Sequence, residues 1–79
     1  MEQSVKIAGD MIRLGQLLKL AGAASGGADA KALIASGQVT VNDEPELRRG
    51  RQLHHGDVVR VGEDDLRIVA AAVHIQDAD

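Results

Sequence analysis

No cysteine, phenylalanine, tryptophan or tyrosine occurs in this chain, and there is a single proline. Without cysteine there are no disulfides and none of the common zinc scaffolds, a composition that fits a reducing compartment. Without aromatic rings, only the histidines remain for stacking a nucleobase, so the platforms that hold splayed single strands are excluded. No apolar run approaches the ~20 residues of a membrane span. The segment Met1-Glu2-Gln3-Ser4 lacks the charged-then-apolar plan of a signal peptide. The cytoplasm is the expected location. Motifs for chemistry are missing too: no carboxylate pair, nucleophile–base arrangement or glycine-rich nucleotide loop stands out. The expectation is a binding protein without catalysis or cofactor.

What is present fits one small domain. The chain has 79 residues, 44% hydrophobic and 27% charged, too short for a second core. A domain of this size buries about 60–65% of its unfolded surface, which leaves a modest stability margin. The formal net charge of −3 argues against a polyanionic partner until its distribution is read. Between Met11 and Asn42, Arg13, Lys19 and Lys31 are set against Asp29. Arg48, Arg49 and Arg51 follow within four residues, with no acid before Gly56. From Val61 onward the balance reverses, Arg67 facing Glu63, Asp64, Asp65, Asp77 and Asp79. Because screening at physiological salt acts over ~8 Å, a local basic face still attracts a nearby phosphate. The charge is bipolar, and a phosphate backbone, RNA first, is the simplest partner.

Periodicity gives an α+β fold. Val5 and Ile7 alternate with polar residues as a short edge strand, ended by Gly9-Asp10. Leu14, Leu17, Leu18 and Ala21 share one helical face, predicting a helix over 13–21 with Gly22 as a left-handed cap. A second helix starts after Ser25-Gly26-Gly27, capped by Ser25 or Gly26. Asp29 lies in its first turn, Ala30, Leu33 and Ile34 are inward, and Gly37 ends it. The period then becomes two. Val39 and Val41 precede an Asn42-Asp43 hairpin turn, and Pro45 belongs at an edge. Leu53 returns the arginine-rich loop to the core, Val58 to Val61 form a strand, and Gly62 to Asp65 turn. Leu66, Ile68 and Ala70 alternate in the last strand. Two short packed helices followed by a small, mostly antiparallel sheet are expected over residues 1–72, with 73–79 a frayed acidic tail.

These residues carry a resemblance. Arg13-Leu14 leads into Leu17-Leu18, Ala30-Lys31 is followed by Leu33-Ile34, and Gly37-Gln38-Val39-Thr40-Val41-Asn42 is answered by Gly56-Asp57-Val58-Val59. In this combination the chain resembles the S4 domain, a small RNA-binding module, from about Ile12 to Val69. The Ser-Gly-Gly approach to the second helix and Arg48-Arg49-Gly50-Arg51 look like the small stand-alone bacterial members. The resemblance implies an S4-like (αL) helix pair on a sheet, serving the translation or ribosome apparatus with no catalytic domain attached. One departure stands out. Many S4 domains have Ser-Arg where this chain has Gly26-Gly27, so a usual RNA-contacting arginine is missing.

The candidate RNA-binding residues are Arg13, Gly26, Gly27, Lys31, Arg48, Arg49 and Arg51. A helix N-terminus attracts phosphate, the two glycines permit close approach, and Lys31 shares a helical face with Gly27. The three arginines offer bidentate forks around a flexible Gly50. Arg13 extends the basic surface at the start of the first helix. Asp43, Glu44 and Glu46 are near enough to pair with the arginines instead. Lys19, Arg60 and Arg67 read as solvated charges. His54 and His55, adjacent on an extended segment, point to opposite sides, so no metal is expected there or at His74. Folded RNA, ribosomal or other, and ribosomal particles are the expected partners. A protein-interaction module and an adaptor for a separate RNA-modifying enzyme remain as alternatives.

Overall fold

The computed structural model describes residues 2–71. Along the chain it forms β1 (Glu2–Ile7), β2 (Met11–Arg13), α1 (Leu14–Leu20) and α2 (Gly27–Ala35). Then come β3 (Val39–Val41), β4 (Glu44–Pro45), β5 (Gln52–His54), β6 (Val58–Val61) and β7 (Asp64–Ala70). Five strands make one sheet in the order β1-β7-β6-β3-β4, and β2 and β5 make a separate antiparallel ribbon. This is the expected α+β architecture. Among the described residues no helix is long and apolar enough to cross a membrane. The tail expected at 73–79, and His74 with it, lie outside the described residues.

The helices form where the apolar spacing put them. Leu14, Leu17 and Leu18 from α1 are fully buried, with Ala30 and Ile34 from α2, whereas Leu33 is half-buried at the margin. Ala21 caps α1 and Gly22 follows at φ +80°, the left-handed conformation that ends a helix. Gly26, rather than Ser25, is the N-cap of α2. Ser25 instead directs its hydroxyl and its backbone N–H to the Asp29 carboxylate, fixing the turn from the preceding residue.

The sheet face follows the alternation. Val5, Ile7, Val39, Val41, Val59, Leu66, Ile68 and Ala70 are buried and share one apolar cluster with the helix residues. The hairpin turn has Asn42 at φ 52° and Asp43 at φ 72°, as a two-residue mirror-image turn demands. Asn42 clasps the next segment, its amide donating to Asp57 Oδ1 at 3.1 Å while its Oδ1 accepts from the Val58 N–H at 2.9 Å.

Three features differ from the periodicity. β1 joins the sheet parallel to β7, with Val5 opposite Ile68, the one parallel pairing of this sheet among the described residues. Met11–Arg13, which leads into α1, is a strand paired with Gln52–His54. The expected Gly62–Asp65 turn is shorter, because β7 already begins at Asp64. There Asp65 lies directly across from Arg60, and the pair closes at 2.7 Å, so the acid is a cross-strand ion-pair partner instead of a turn residue.

Candidate nucleic-acid interface

The segment between β4 and β5 is sewn onto the start of α1. A helix leaves its first N–H groups without partners. Here Leu14 donates to the Arg51 carbonyl at 2.9 Å and Gly15 to the Arg49 carbonyl at 3.0 Å. The Arg13 guanidinium adds a third tie through Nη1 to the Gly50 carbonyl at 3.0 Å. Gln16 Oε1 accepts from the Arg13 N–H at 3.4 Å, so the residue before the helix is held from both sides. The β2–β5 ribbon supports this junction from below, with Arg13 opposite Gln52.

Two hollows flank the loop, and Gly50 lines both. The first, an open groove of about 290 Å³, is bounded by Arg13, Gly15, Gln16 and Lys19 of the α1 segment, Gly27 and Ala30 of α2, and Arg49. Its three charged residues are all cations, and no carboxylate lines it among the described residues. Two glycines thin its walls. A Cβ on Gly27 would meet nothing within 4 Å, and one on Gly15 would touch the Arg49 side chain at 3.5 Å. Arg49 and Lys19 have no ion-pair partner among the described residues.

The second hollow lies beyond the loop and is lined by Arg48, Arg51, Gln52, His54 and Asp57. Both arginines are engaged by Glu46, which is 7% exposed. Arg48 Nε reaches Glu46 at 3.1 Å and Arg51 Nη1 at 2.7 Å. The Arg48 side chain, its strongest partner, then that of Arg51 and the backbone N–H of Arg48 together hold the Glu46 carboxyl down at about 2. The same contact raises the Arg48 pKa. Asp57 is engaged at both oxygens, Oδ2 accepting the His54 N–H at 2.8 Å and Oδ1 the Asn42 amide. His55 Nδ1 accepts from the Ala70 N–H at 3.1 Å and so ties β7 to the loop after β5.

The seven candidates therefore divide. Arg13, Gly27 and Arg49 meet in the first groove, Arg48 and Arg51 in the second hollow, and Gly26 and exposed Lys31 line neither. Two contributors were not among the candidates. Lys19 stands in the groove, and its spacing from Arg13 and Gln16, three residues at each step, is the signal that places it on their face. Glu46 pairs with Arg48 and Arg51, and these two cations, two and five residues after it, were the trace it left in the sequence.

A family model for the S4 domain matches residues 5–69, a span that runs from β1 to β7 and contains both hollows. The chain belongs to the S4 domain family. It is also similar to a protein of Bacillus subtilis (strain 168) described as a probable ribosome maturation protein, RlbA. The two are 48% identical over 61 residues, which is 77% of this chain and 86% of that protein. This S4 domain thus shares most of its length with a relative of similar size, and its helix pair and arginine loop lie within the span matched to the family.

Proposed function

We propose that this S4 domain docks on folded ribosomal RNA through phosphate contacts and serves ribosome maturation by binding, with no catalytic step of its own. The observation that carries the reading is the first groove: Arg13, Lys19 and Arg49 converge on a space that no carboxylate lines among the described residues, walled by glycines. Guanidinium forks suit phosphate oxygens, and an absent Cβ lets a backbone approach. The likeness to a probable ribosome maturation protein of Bacillus subtilis supports the choice of ribosomal RNA. The absence of aromatic side chains favours a folded RNA read by shape over an unstacked strand.

Titration of ribosomal RNA fragments at several salt concentrations tests this. If four or five phosphates are neutralised, log affinity falls with log salt at a slope of about −3 to −4. The folded double variant Lys19→Ala/Arg49→Ala should lose about two phosphate contacts, flattening the slope by about 1.5. Co-sedimentation with ribosomal particles should weaken in parallel. An unchanged slope in that variant removes the groove from the interface, and a protein partner that survives nuclease treatment favours the interaction-module alternative.

A further inference from the structure

The loop after β4 inverts the usual arrangement: Glu46 is buried at 7% exposure while its neighbour Leu47 is 66% exposed. A carboxylate in the wall of a small domain is costly unless it is paired and hydrogen-bonded. Glu46 is held on every side. It accepts from Arg48 Nε at 3.1 Å, Arg48 Nη2 at 3.4 Å and the Arg48 N–H at 3.0 Å, and from Arg51 Nη1 at 2.7 Å. Its own N–H donates to the Val39 carbonyl at 3.1 Å, which anchors it to β3.

These contacts use one edge of Arg48 and one nitrogen of Arg51. A guanidinium carries five N–H donors in a planar fork. Among the described residues, Arg48 keeps Nη1 and the second N–H of Nη2 without a partner, and its side chain remains 76% exposed; Arg51 keeps Nη2 and Nε without one. Both side chains border the hollow with Gln52 and His54.

We propose that Glu46 is a positioning residue for RNA binding: it grips the inner edges of Arg48 and Arg51 so that their outer edges form a preset fork for phosphate in the second hollow. This rests on the reading of the arginine loop as an RNA contact. The role has a counter-intuitive sign. Simple electrostatics says that removing a negative charge tightens binding to a polyanion. Preorganisation says the reverse, because two long side chains then lose conformational freedom only on binding.

The experiment compares wild type, Glu46→Gln, Glu46→Asp, Arg48→Ala/Arg51→Ala, and Glu46→Gln combined with the two alanines, each titrated with one ribosomal RNA fragment. Glu46→Gln should weaken binding about fivefold or more although it removes a negative charge. Glu46→Asp, which keeps the charge but withdraws the oxygens by one methylene, should weaken it as well and serves where the glutamine variant folds poorly. The double alanine should weaken binding, and adding Glu46→Gln to it should cause no further loss; a merely structural role would still weaken binding in that background. Tighter or unchanged binding by Glu46→Gln and Glu46→Asp overturns the positioning role while leaving the loop as an RNA contact. Wild-type affinity in the double alanine overturns the loop reading itself, and the positioning role with it.

Discussion

Glu46 has a folded-state pKa of about 2, below its ordinary 4.5, because Arg48 and Arg51 favour its charged form. A carboxyl depressed in this way contributes stability that is complete above 4.5 and is lost as pH falls from there toward 2. Urea denaturation should therefore show Glu46→Gln less stable than wild type by about 1–3 kcal/mol near neutrality. The gap should close progressively through the acid window, and a constant gap would remove the ion pairs as its cause. Asp65, depressed by Arg60, acts in the same direction. Sequence could not single out Glu46 from Asp43 and Glu44, because its burial depends on the loop returning over it. Leu47 was the more natural residue to turn inward, and chain geometry chose otherwise.

At the scale of elements, the two-residue hairpin turn and the α2 entry make separate predictions. Asn42→Ala removes both hydrogen bonds to the Asp57–Val58 segment and puts alanine at φ 52°. Thermal unfolding should show a loss of about 1–2 kcal/mol. At the α2 entry, Gly26 has an extended backbone at φ −172°, and Gly27 has open space around its Cβ position, so side chains fit at both. Gly27→Arg should place a further cation at the first groove, steepening the salt slope of RNA binding by about 0.7–0.9 without loss of stability. An unchanged slope would mean that phosphate does not pass this helix end. Both helices and the hairpin were legible because short-range spacing and turn chemistry encode them. The β2–β5 ribbon was not, since Met11, Ile12 and Arg13 are strand-like only through the distant Gln52, Leu53 and His54. The same distance explains why one apparent basic patch resolves into two hollows.

At the scale of the whole molecule, the core is one cluster of aliphatic side chains drawn from the two short helices, the five-stranded sheet and Leu53 of the ribbon. With no aromatic ring to add bulk, each member matters. Ile7, 4% exposed at the end of β1, should cost about 2–4 kcal/mol when changed to alanine, a large share of what so small a domain has. Denaturant midpoints will show it.

The parallel pairing of β1 with β7 also sets an order in time. Glu2 finds its neighbour at Asp65 and Ile7 at Ala70, so β1, on leaving a translating ribosome, waits for a strand made some 60 residues later. The helices and the central hairpin can gather from local contacts before then, while the apolar side of β1 stays uncovered. A nascent chain arrested before Ile68 has emerged would offer Val5 and Ile7 to chaperones or proteases, and release would let β7 cover them.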